Sequence, residues 1–156
     1  MSGSSLASIT NQRLDGARRL LQQSQESDND WMTQSFESSA LFQLRSALNG
    51  LLQEVKTSYS LQGVLELDAL LIAADHQGIS VPVLNELAQH KLNPQSWLSQ
   101  LLSAYNAALE CQVGSHAYAT EVELIGRGSD AGASTQYILS SLTELVLRFR
   151  EDAAEY

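Results

Sequence analysis

Asp68 and Asp75 stand seven residues apart in the segment VLELDALLIAAD (64–75), so on a helix they project from the same side of an otherwise apolar surface. Two carboxylates facing a core could hold a cation or do acid and base work, because burial and mutual repulsion favour a proton on one member of such a pair. His76 follows Asp75 directly, and neighbours on a helix point about 100° apart, so these two do not form a dyad by themselves. The catalytic candidates are therefore Asp68, Asp75 and His76, in a small metal-dependent hydrolase or a nucleotide-handling enzyme. The competing reading is structural: each carboxylate marks a rim or pairs with an arginine such as Arg45.

Other chemistry-bearing patterns are incomplete. Glu86 and His90 lie one helical turn apart and could share a metal, yet the chain has neither a Glu-x-x-His nor a His-Glu-x-x-His sequence. A solvated surface pair is the expectation, and no metal or cofactor is expected. Gly126, Gly128 and Gly132 in ELIGRGSDAGAS precede a helical pattern as in a phosphate-cradling loop, with Arg127 among them. A dinucleotide site also needs a parallel sheet, which this chain does not offer, so turn glycines in a linker are expected instead. Cys111 adjoins Glu110 and has no histidine near it in sequence, which argues against a nucleophilic thiolate.

The elements that must position these residues are helices. The apolar residues are dominated by Leu and Ala, which favours helix over strand. The longest pattern is SALFQLRSALNGLLQEVKTSY (39–59), in which Ala40, Leu41, Leu44, Ala47, Leu48, Leu51, Leu52, Val55 and Tyr59 form one stripe with Gln43, Ser46, Gly50, Gln53 and Thr57 opposite. This helix extends back to Trp31, capped by Asp28 or Asp30, and forms a hairpin with an earlier helix that starts at Thr10 or Asn11. The segment 64–75 is apolar nearly all round and is expected to be buried on several sides. Ser80 with Pro82, and Asn93 with Pro94, mark two further starts. A last helix runs from about Ser134 to Ala153, with Ile138, Leu142, Leu145 and Phe149 on its inner face, and an extended piece is expected at Glu121 to Ile125.

These readings give an all-α fold, a single mostly antiparallel bundle of five or six helices with a long central helix. Residues 1–9 are expected to be a flexible tail, and residues 10–154 the bundle domain, with an irregular connection at 112–133. The 156 residues suit one core. Eighteen acidic residues against nine basic ones give a net charge of -9, which opposes nucleic acid and anionic membrane as partners. One cysteine, no signal-like N-terminus and no long apolar run point to the cytoplasm.

The segments TNQRLDGARRLL (10–21), ALFQLRSALNGLLQEV (40–55), SWLSQLLSAY (96–105) and SLTELVLRFRE (141–151) resemble a family of short, helical gammaproteobacterial proteins known as a domain of unknown function. The resemblance spans Thr10 to about Asp152, rests on packing motifs and carries no catalytic residue over. The chain is also similar to HEPN-type helical bundles. Their ribonuclease members use an Arg followed a few residues later by a His, and no arginine here has a His at that spacing. What remains as the leading expectation is a non-enzymatic module for a protein partner or for self-association, with Trp31, Met32 and Phe36 as apolar residues at the polar start of the long helix.

Overall fold

A computed structural model describes residues 3–112 and 127–154 of the protein. The fold is all-α, with six helices and no strand among the described residues. They are α1 (Gly3–Glu26), α2 (Asp30–Ser58), α3 (Leu67–His76), α4 (Pro82–Leu92), α5 (Trp97–Leu109) and α6 (Arg127–Ala154).

The centre is an antiparallel hairpin of α1 and α2. On α1 the buried positions Thr10, Leu14, Ala17, Leu21 and Ser24 follow a four-three spacing, and on α2 Ala40, Leu44, Ala47, Leu51 and Glu54 repeat it, which is the seam of a coiled coil. Alternate seam residues other than Glu54 are small, so the two backbones come close. A Cβ placed on Gly50 would lie 3.2 Å from Thr10 Cβ and 3.4 Å from Thr10 Cα. Gly50 and Gln43 were expected on the face of α2 opposite the core. Instead Gly50 meets Thr10 and Gln43 lies over Gly16, because α1 covers a flank of α2 while α5 and α6 cover another.

Asn29, rather than Asp28 or Asp30, caps α2, its Oδ1 accepting from Trp31 N at 3.1 Å and Met32 N at 3.5 Å. Near this end of the hairpin the buried Ser24 hydroxyl donates to Glu37 Oε1 at 3.2 Å. Burial pushes the Glu37 carboxyl above its ordinary pKa, with the Ser24 hydrogen bond acting against it. A raised carboxyl penalises the folded state above its folded pKa, and the penalty fades as pH falls from there towards the ordinary value of 4.5. Glu37→Gln is therefore expected to raise the melting temperature at neutral pH, with the gain shrinking in melts taken below about pH 4.5. A gain that is the same at both pH values would contradict this origin.

Helix α1 begins at Gly3, so the tail expected over residues 1–9 is largely helical. Thr10 does not cap it; the residue is fully buried within the helix and its hydroxyl donates to Leu6 O at 3.1 Å. Packed turns further along have already met the cost of nucleation, so each added turn is easily formed. The same logic holds for α6. It begins at Arg127, earlier than Ser134, and takes in Gly128 and Gly132, so the irregular connection is shorter than 112–133. The extended piece at 121–125 lies outside the described residues.

Helix α3 is not enclosed as its composition suggested. Leu70 and Ala74 are buried, but Ile72 is 59% exposed, since this ten-residue helix packs mainly against α4 and has only one side to bury. The helix closes on Gly78, whose φ of +69° suits a glycine, with Gly78 N donating to Asp75 O at 3.0 Å. Val81, not Ser80, is the N-cap of α4; the Ser80 hydroxyl instead accepts from Asn85 Nδ2 at 2.8 Å. Ser96 caps α5 by accepting from Ser99 N at 3.1 Å.

Helix α6 lays Ile138, Leu139, Leu142, Leu145, Val146 and Phe149 into the core. Near its end Arg150 joins three helices. Its Nε and Nη2 each donate to Glu54 on α2 at 3.1 Å, Nη1 donates to Asn11 at 2.7 Å, and Nη2 also donates to the Ala7 carbonyl at 3.2 Å. The start of α1 is helical in part because Arg150 ties it to the end of α6.

Candidate functional site

The structure separates the carboxylates that suggested chemistry. Asp68 occupies the first turn of α3 and accepts from Lys91 Nζ on α4 at 3.2 Å, with its side chain 71% exposed. Asp75 and His76 are exposed at the other end of the same helix. At 1.5 Å of rise per residue the two aspartates share a side but stand about 10 Å apart along the axis, far beyond the reach of one ion or one shared proton. No group of three metal-ligating side chains occurs among the described residues. Arg45 is not the partner of Asp68; it donates to Asn49 Oδ1 at 2.7 Å and its guanidinium stands 5.9 Å from the Tyr105 ring centre.

Glu86 is not simply one half of a solvated pair with His90. Arg148 of α6 grips both of its oxygens at 2.8 Å, and His90 Nε2 lies 3.3 Å from Oε2. The Arg148 hydrogen bond holds the Glu86 carboxyl below the ordinary range, outweighing partial burial. Its stabilising contribution is thus present above the ordinary carboxylate pKa and lost as pH falls through the depressed one. The His90 ring packs on Trp97 at 5.6 Å between centroids, tilted by 58°. This is a fork joining α4 to α6.

Concave surface offers a further candidate setting. One pocket, of ≈ 270 Å³, opens where α2, α4 and α5 meet the turn into α3. Leu48, Leu52, Leu65, Leu67, Leu87, Leu98 and Leu102 line it, with Arg45, Lys91, Glu66 and Asp68. Sequence reading found Asp68 and Arg45 but not their common setting, because the lining comes from four segments between residues 45 and 102. A shallower groove of ≈ 510 Å³ runs between α1 and α6, floored by Leu14, Leu139, Val146 and Leu147.

With this geometry in view, comparison with known proteins adds one positive finding: residues 1–156 match a single family of unknown function throughout. The chain belongs to DUF6586. No curated protein and no solved structure matches it.

For this DUF6586 chain the apolar surface is therefore the other place to look. Trp31 is 68% exposed and Met32 is also exposed, while Phe36 is half-buried. Phe42 is exposed as well and sits eleven residues after Trp31, which returns it to the same side of α2 within about 20°. The polar surroundings at the start of α2 singled out Trp31 but not Phe42, which counts as core by type and as surface only in the folded chain. Cys111 is exposed, with a φ of +55° just beyond α5. Gly128 and Gly132 are part of α6, while Gly126 lies outside the described residues. Among the described residues no helix is long and apolar enough to cross a membrane.

Proposed function

We propose that this protein is a non-enzymatic cytoplasmic interaction module that offers the outer face of α2 to a protein partner or to a second copy of itself. The observation that carries this reading is Trp31 at 68% exposure, with Met32 beside it and Phe42 three turns on along the same side. Tryptophan contributes most to stability when buried, and it is the residue most enriched where protein interfaces concentrate their binding energy. The net charge of -9 favours a partner with a neutral or basic surface and disfavours nucleic acid and anionic membrane. The separation of Asp68 from Asp75 speaks for a binding role over the hydrolytic one.

Trp31→Ala combined with Phe42→Ala is expected to leave the melting temperature within about 2 °C of the parent, since exposed side chains contribute little to the core. The same variant is expected to lose concentration-dependent association in sedimentation velocity, or the partner retained by the parent in a pull-down from the native cytoplasm. A parent protein that stays monomeric at every concentration and retains nothing that the variant does not would reject the proposal.

A further inference from the structure

We infer that the leucine-lined pocket between α2, α4 and α5 binds a small organic monoanion with an apolar body, a medium-chain carboxylate whose head group pairs with Arg45. This is independent of the Trp31 surface. The pocket measures ≈ 270 Å³, just below the roughly 300 Å³ at which sites for drug-sized ligands begin, which suits a smaller ligand. Its walls are Leu48, Leu52, Leu98 and Leu102, and Arg45 stands among them, half-buried.

The partners of Arg45 are neutral: the Asn49 amide and the Tyr105 ring. Among the described residues no carboxylate pairs with it, in a chain with 18 acidic residues for nine basic ones. The other cation of the pocket, Lys91, is taken by Asp68, and Glu66 is exposed at the mouth. A half-buried guanidinium has donors in a planar fork that a carboxylate fills with two parallel bonds. The leucine walls then select for the tail, each buried methylene raising affinity by up to about fourfold. A cationic or uncharged ligand would leave the guanidinium without a counter-charge.

The test is a titration of the full chain, followed by methyl NMR, with octanoate, 1-octanol and acetate as probes. Octanoate is expected to give saturable shifts at the methyls of Leu48, Leu52, Leu98 and Leu102, 1-octanol to bind about tenfold more weakly, and acetate not to saturate. Arg45→Gln is expected to weaken octanoate by about tenfold while leaving 1-octanol unchanged, and Arg45→Lys to retain part of the preference. Leu102→Phe keeps the cation and fills the space, and is expected to weaken both ligands. Octanol binding as tightly as octanoate, octanoate indifferent to Arg45→Gln, or shifts that fail to saturate or fall elsewhere would each overturn the assignment. The comparison of octanoate with octanol uses the unaltered chain, so it decides the matter even if a variant melts early.

Discussion

Arg150→Ala is expected to destabilise the protein by about 3 kcal/mol, near the lower end of what removing one partner of a buried ion pair costs. Glu54 is only 8% exposed and Arg150 25%, so the truncation strands a carboxylate in the hairpin seam with little water to solvate it. The loss also frees Asn11 and the Ala7 carbonyl, both held by the same guanidinium. For a chain of this length the melting temperature is expected to fall by roughly 6 to 12 °C. The double variant Arg150→Leu with Glu54→Leu should recover much of the loss, because a buried pair is often replaceable by packed hydrocarbon whereas a widowed charge is not. Urea unfolding of the two single variants and the double variant measures this. A single-variant loss below about 1 kcal/mol would show that the pair is solvated rather than structural.

Gly50→Leu is expected to cost a further distinct amount, about 3 kcal/mol, through overpacking. Leucine favours helix over glycine by nearly 1 kcal/mol, so on an exposed helix face the change would stabilise. The opposite sign is expected here because any Cβ on Gly50 meets the Thr10 hydroxyl, Cβ and backbone Cα. The two helices can then keep their seam only if Thr10 moves. Gly50→Ala is expected to show the same sign at smaller size, and adding Thr10→Ala to it should relieve part of the loss, giving a coupling that a double-mutant cycle reads directly. Stabilisation by Gly50→Ala would mean that α1 and α2 stand further apart than the structure places them.

Both residues show where sequence reasoning stops. Gly50 was assigned to the outer face because the stripe from Ala40 to Val55 was read as the whole buried surface of α2. That stripe, which the sequence carries on to Tyr59, is buried apart from half-buried Leu41 and Tyr59. Yet a central helix packed from more than one direction keeps a narrower free face than its leucine stripe implies, and a hydropathy pattern registers the leucine side while missing the side on which small residues bring a neighbour close. Glu54 and Arg150 are 96 residues apart, and each alone reads as a solvated charge. The Arg148 fork on Glu86 was hidden for the same reason.

The candidate site divides along similar lines. The spacing of Asp68 and Asp75 correctly put them on one side of a helix, but a shared side is not a shared point, and the two turns between them were already implied by the rise of the helix. What the spacing could not convey was that Lys91 would take Asp68 or that Arg45 would turn to Asn49 and Tyr105. Trp31 was noticed from its polar surroundings, whereas Phe42 became a surface residue only in the folded chain.

The composition and the 3.6-residue periodicity by themselves determined that this chain is helical, where its long helix lies and which face of that helix turns its leucines from water, because those depend on propensity and on the pattern within each segment. Which flank of α2 meets α1, how far each terminal helix extends, and which charges are paired were decided only by the tertiary structure. Those outcomes depend on distances between residues that are remote in the chain, and no local pattern encodes them.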